Sequence, residues 1–143
     1  MDPVNAGLDD RLFEYLKKSI KETPYYEMLD IELQLLSPGY SEFRVLTSRK
    51  HSNPMGLIHG GLIMSIADAA MGNAIRSMAI KAVTVDMSTS LPAGARLGDT
   101  IVAQGKVLRA GQKLLFAEAE VRSGDKLLGH SKATFFKISE MHY

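Results

Sequence analysis

Asp68 is the only charged side chain between Gly60 and Ile75. The rest of that stretch is almost all small or aliphatic, with Leu62, Ile63, Met64, Ile66, Ala67, Ala69, Ala70, Met71 and Ala74, and it opens on His59-Gly60-Gly61. A helix apolar almost all round is expected to be buried. A buried carboxylate without a partner is costly or has its pKa forced up, so Asp68 requires either a concealed basic partner, such as Arg76 or Lys81, or a chemical task. A carboxylate set in an apolar wall suits a general base or a nucleophile.

The two glycines suggest the complementary half of such chemistry. The first N–H groups of a helix lack intrahelical acceptors and sit at the positive end of its dipole. A carbonyl placed there would have its developing oxyanion stabilised, an effect of about 3 to 4 kcal/mol per donor. Glycine lets the carbonyl approach where a side chain would block it. His59, at a helix start, reads as a cap or turn anchor rather than the principal base; His51, His130 and His142 stand at no metal-ligand spacing from it, so no metal site is expected. Nine residues separate His59 from Asp68, about 13 Å of rise and roughly half a turn of rotation. The two cannot share a compact site within one chain.

These residues must be positioned by an α+β arrangement. Leu12, Phe13, Leu16 and Ile20 recur at helical spacing and predict an N-terminal helix over about 8–22, stopped by Thr23-Pro24. The segments 31–36 and 40–47 flank Ser37-Pro38-Gly39 as a hairpin. A polar loop spans 49–57, and the central helix is expected over about 60–78. From Ala82 to Leu91 the chain alternates, with Val83, Val85, Met87 and Leu91 on one face and Thr84, Asp86, Ser88 and Ser90 on the other. Segments 100–108, 113–122 and 126–138 read as three further strands. About six strands and one long apolar helix suit an antiparallel sheet curled around that helix.

Composition narrows the function classes. A chain of 143 residues is expected to form one domain over 1–143. Seventeen basic and sixteen acidic side chains give no basic surplus for a nucleic-acid or membrane-surface partner. The lack of cysteine excludes disulfides and thiolate chemistry. No apolar run reaches the length of a membrane span, and Met1-Asp2-Pro3 does not read as a signal, so a soluble cytoplasmic protein is expected.

The pattern Asn53-Pro54-x-Gly56-x-x-His59-Gly60-Gly61, with Asp68 in the helix and Thr84-Val85-Asp86-Met87 on the next strand, resembles the hotdog-fold thioesterases of the phenylacetate-degradation (PaaI-like) type. The resemblance covers roughly residues 28–136. It implies a curved antiparallel sheet wrapped around one helix, hydrolysis of an aryl- or medium-chain acyl-CoA thioester, and no cofactor beyond the coenzyme A of the substrate. It further implies Asp68 as base or nucleophile, Gly60 as carbonyl-polarising donor, Asn53 as an orienting group, and Thr84 as a hydroxyl positioning water near the acid. The site would span a dimer interface, with Asn53, His59 and Gly60 from one subunit and Asp68 from the other, in a homotetramer built as a dimer of dimers.

Arg109, Gly111, Gln112 and Lys113, at a hairpin turn, are candidate contacts for the CoA nucleotide, Gly61 for the substrate at the helix start, and Met64 for the acyl pocket. Tyr25, Tyr26, Met28 and Leu29 are candidates for the acyl pocket. Two other readings stay open. A non-catalytic acyl-CoA-binding hotdog domain would have no need of a buried acid. A hydratase on the same fold would need an Asp and a His near one substrate carbon, which the nine-residue spacing does not match.

Overall fold

The computed structural model describes residues 2–143. The elements run β1 (Val4–Asn5), α1 (Asp10–Lys21), α2 (Pro24–Leu29), β2 (Glu32–Ser37), β3 (Tyr40–Leu46), a 3-10 turn (Arg49–His51), α3 (Gly60–Arg76), β4 (Ile80–Ser90), β5 (Thr100–Ala110), β6 (Leu114–Ser123) and β7 (Lys126–Glu140). The seven strands form one sheet in the order β1-β2-β3-β5-β6-β7-β4. All pairings are antiparallel except the two-residue β1, which lies parallel to β2. The expected six-strand sheet therefore gains a short seventh strand.

The sheet holds α3 against its inner face, which is lined by Phe43, Val45, Ile101, Ala103, Leu115, Ala117, Ala119, Ala133 and Phe135, all buried. Several of these are small, and that lets the helix come close. The closest approach is at Gly105, where an added Cβ would stand 2.4 Å from the backbone of Ala70. Its cross-strand partner Ser41, itself fully buried, donates its hydroxyl to the Ala70 carbonyl at 2.6 Å. One polar stitch and one missing side chain thus fix the depth of α3 on the sheet.

The N-terminal helix forms as its apolar spacing requires. Asp9 caps it by accepting from Arg11 N–H, and Leu12, Phe13, Leu16 and Ile20 are its buried stripe. Thr23-Pro24 does end α1, but Pro24 also opens α2 as its first helical residue. Proline stops a preceding helix and suits the first turn of the next for the same reason, since its missing N–H is not needed there. Asp30, in the left-handed region at φ 58, closes α2.

Two expectations about shape are corrected. The central helix stops at Arg76, and Ala79 at φ 58 turns the chain into β4. Nor is α3 buried all round: Gly61, Ser65, Asp68, Gly72 and Arg76 are half-buried and Met64 is exposed, forming one open stripe at helical spacing. Among the described residues no helix is long and apolar enough to cross a membrane.

Candidate active site

The loop before α3 is folded by its own polar groups. His51 is 3% exposed. Its Nδ1 accepts from Ser48 N–H at 2.9 Å, and its Nε2 lies 2.7 Å from the Leu29 carbonyl. An accepting Nδ1 leaves the proton on Nε2, so the ring is a neutral clasp between the end of α2 and the loop. Its carbonyl accepts from His59 N–H at 2.8 Å, which sets the entry to α3. Nothing in its sequence surroundings beyond Ser48 three residues earlier, at capping spacing, points to this role.

Asn53 organises the next turn. Its Oδ1 accepts from Met55 N–H at 2.9 Å and Leu57 N–H at 3.1 Å, while its backbone N–H and carbonyl bond Leu57 and Gly56. Only the Nδ2 group is left to face a substrate or water.

His59 is the N-cap of α3, and its Nδ1 accepts from Gly61 N–H at 2.8 Å. That corrects part of the expectation for the two glycines, because the Gly61 donor is already used. Gly60 N–H, the first of the helix, has no acceptor in the chain among the described residues. It is the donor left for a carbonyl, and a Cβ at this position would touch Leu91 Cδ1 at 3.0 Å.

Asp68 is half-buried on the open stripe rather than enclosed. Neither Arg76 nor Lys81 pairs with it; Arg76 instead donates to Asn73 Oδ1 at 3.0 Å and Ser19 Oγ at 2.8 Å. The partner Asp68 does have is Thr84, whose Oγ1 donates to Oδ1 at 2.9 Å.

That contact exists because β4 does not alternate as its sequence suggests. Thr84 pairs with Phe135 and Asp86 with Thr134, leaving Val85 as an extra residue in a bulge. Across the bulge the faces change phase, so Ala82 and Met87 pack on the core on the same side as Thr84. Thr89, sharing a 2.7 Å hydrogen bond with buried Ser131, also lies there. The expected separation of Thr84 from Met87 is thereby overturned. Val83 and Val85, expected on one face with Met87, are instead 47% and 56% exposed on a strand with no neighbour on its outer side among the described residues.

Above the same stripe stands α2. Tyr25 Oη and Ser65 Oγ share a hydrogen bond of 2.6 Å one turn before Asp68, and Met64 is adjacent. Tyr26 turns into the core, with its ring 6.0 Å from that of Phe43 and its hydroxyl accepting from Asn73 Nδ2 at 3.2 Å. Burial pushes the Tyr26 phenol pKa up and the Arg76 pKa down. Met28 is 60% exposed, and Leu29 is partly buried against the core.

The structure does not bring all of these residues together in one chain. Gly60 and Asp68 lie about 12 Å apart along α3. Arg109, Gln112 and Lys113 are exposed on and beside the β5–β6 turn, where Gly111 N–H bonds the Leu114 carbonyl and a Cβ on Gly111 would strike that oxygen at 2.8 Å. This turn is tied to β7 through Lys137 N–H on the Lys113 carbonyl. Arg109 shares a shallow depression of about 350 Å³ with Gly39 and Met78, beyond the C-terminal end of α3 and so at the opposite end from Gly60. A larger groove of about 530 Å³ runs between α1, α2 and β2 and does not include Asp68. Among the described residues no three His, Asp or Glu side chains are grouped to hold a metal.

Residues 55–130 match the family model of the thioesterase superfamily. A putative esterase of Archaeoglobus fulgidus is 29% identical over 132 residues, covering 92% of this chain and 84% of that one. Human acyl-coenzyme A thioesterase 13 is 27% identical over 134 residues, covering 90% and 96%. Among solved structures, the Escherichia coli PaaI protein from the phenylacetic acid degradation operon superposes with a TM-score of 0.87 at 18% identity, covering 94% of this chain and 99% of that one. That likeness establishes the hotdog fold. With the family match running from the loop that organises His59 through α3 to β7, the chain belongs to the thioesterase superfamily.

Proposed function

We propose that this protein hydrolyses acyl-CoA thioesters, with an aryl or medium-chain acyl group, to the free acid and CoA. The observation that carries the reading is Asp68: a carboxylate on the one open stripe of an otherwise buried helix, with no basic partner in the chain among the described residues and a single hydroxyl donor, Thr84. An acid that merely completed a structural ion pair would have its cation beside it.

In the reaction, Asp68 acts on the thioester carbonyl carbon, either by direct attack or by taking a proton from the attacking water. The carbonyl oxygen gains charge as the tetrahedral centre forms, and Gly60 N–H at the positive end of α3 stabilises it. The C–S bond then breaks and CoA leaves as the thiol, taking the proton that Asp68 drew from water; after direct attack, water instead hydrolyses the acyl anhydride on Asp68, freeing the acid and supplying that proton. His59 holds Gly61 so that Gly60 alone faces the substrate. Asn53, its Oδ1 committed to the loop, orients the attacking water or carboxylate through Nδ2.

Because Gly60 and Asp68 of one chain stand too far apart to reach one carbon, the site is completed by a second copy. Asp68 of one subunit meets Asn53, His59 and Gly60 of the other, and two such dimers form a tetramer. The exposed stripe of α3 and the unpaired β4 edge are the surfaces that support this assembly. Arg109, Gln112 and Lys113 are offered as contacts for the CoA nucleotide.

A panel of aromatic and aliphatic acyl-CoAs, assayed by release of free thiol, tests the reading. Turnover of at least one class, abolished in Asp68→Asn, is the expected result. CoA-ester binding without hydrolysis across the panel would instead identify a binding domain.

A further inference from the structure

Past Asp68 the open stripe of α3 continues over Gly72 to Arg76, and the reaction above gives this end nothing to do. The three positions are four residues apart, so they follow one another along nearly one line of the helix, with about 12 Å of rise from Asp68 to Arg76. Gly72 contributes no side chain, which leaves the path between carboxylate and guanidinium clear of the helix itself. A Cβ there would come 3.8 Å from the ring of Phe135, a core residue 2% exposed, so the path is closed beneath by the packed sheet. Tyr25 and Tyr26 of α2, anchored on Ser65 and Asn73, stand on the other side.

Arg76 is half-buried and has no carboxylate within ion-pair distance among the described residues. Its two hydrogen-bond acceptors, Asn73 Oδ1 and Ser19 Oγ, are neutral. Asn73 is 2% exposed and fixed by its bond to the Ala69 carbonyl at 2.8 Å, so the guanidinium is held from behind while other N–H groups stay unused. The Tyr26 hydroxyl is tied to the same Asn73 amide that accepts from Arg76. Burial lowers the Arg76 pKa, as it does for a cation that lacks a counterion.

We propose that Arg76 and Tyr26 form the far end of the acyl site and that it accepts an acyl group ending in a carboxylate, the mono-CoA thioester of a dicarboxylic acid. A guanidinium matches a carboxylate in shape and charge, and burying both together removes the uncompensated charge that the empty site carries. The proposal rests on Asp68 as the reacting acid, because that fixes the other end of the acyl chain.

The test compares adipoyl-CoA with hexanoyl-CoA and suberoyl-CoA with octanoyl-CoA, as kcat/KM and as equilibrium affinity, on the wild type, Arg76→Gln and Arg76→Lys. The wild type should favour at least one diacid ester over its neutral match by roughly tenfold or more, expressed mainly in KM. Arg76→Gln should bring that ratio close to one, and Arg76→Lys should keep part of it. Equal treatment of diacid and neutral esters by the wild type overturns the proposal, as does an undiminished preference in a folded Arg76→Gln. If Arg76→Gln does not fold, the wild-type ratio and its change in Arg76→Lys decide. Cleavage of neither kind of ester would contradict the thioesterase reading instead, and the ratio of affinities would then judge the subsite by itself.

Discussion

Thr84 Oγ1 donates to Asp68 Oδ1 across 2.9 Å, and the bulge at Val85 is what lets Thr84 face α3 together with Met87. The hydroxyl donor holds one carboxylate oxygen in place while the other stays free to act. Asp68→Asn keeps the shape without the reactive charge, so turnover should fall at least about a hundredfold with the thermal unfolding midpoint little changed. Thr84→Ala should cost less, about tenfold, and Thr84→Ser should restore most of it because the donor returns. Steady-state assays with parallel melting curves read both.

Gly60→Val introduces a branched side chain beside Leu91, where the thioester carbonyl is to approach. KM should rise and kcat should fall together. A folded Gly60→Val protein with wild-type efficiency would mean that the start of α3 is not where the carbonyl sits.

Gly105→Ala probes the fold rather than the chemistry. The added methyl would meet Ala70 backbone atoms at 2.4 Å, with no flexible side chain to move aside. Lifting α3 from the sheet should cost about 3 kcal/mol or more and break the Ser41 bond to the Ala70 carbonyl. Denaturant unfolding measures this; a loss below about 1 kcal/mol would show that the helix shifts freely.

His51→Ala removes an acceptor for Ser48 N–H and a donor to the Leu29 carbonyl, both at a buried position. Stability should fall by about 2 kcal/mol. Because the ring also holds in place the His51 carbonyl that accepts from His59 N–H, activity should drop further than stability alone explains, visible as a raised KM at temperatures where the variant is fully folded.

Much of this architecture was legible in the chain because its signals are local. The apolar spacing of Leu12, Phe13, Leu16 and Ile20, the Ser37-Pro38-Gly39 turn and the small-residue run of α3 each depend only on near neighbours. The strand 82–91 was legible as a strand but misleading as to its faces, because a bulge is set by pairing with β7 and leaves no mark on a two-residue alternation. Pro24 both stops α1 and starts α2, and only the stop is visible in the local pattern. At the site, the positions of Gly60 and Asp68 on one helix followed from spacing. The open side of that helix did not, since hydrophobicity alone does not say which face the sheet leaves uncovered. The clasp of His51 and the set joining Arg76, Asn73, Tyr26 and Ser19 cross three or more elements, and contacts of that range have no local pattern to announce them.

The claim that one active site draws Gly60 from one subunit and Asp68 from another is tested most directly by complementation. Asp68→Asn and Gly60→Val proteins, each inactive alone, are mixed in equal amounts under conditions that exchange subunits, and thioester hydrolysis is followed. Half of the dimers become mixed, and in each the two lesions fall in one site and leave the other intact, so activity should recover toward roughly a quarter of wild type. No recovery, with subunit exchange demonstrated by labelled protomers, would contradict the shared site.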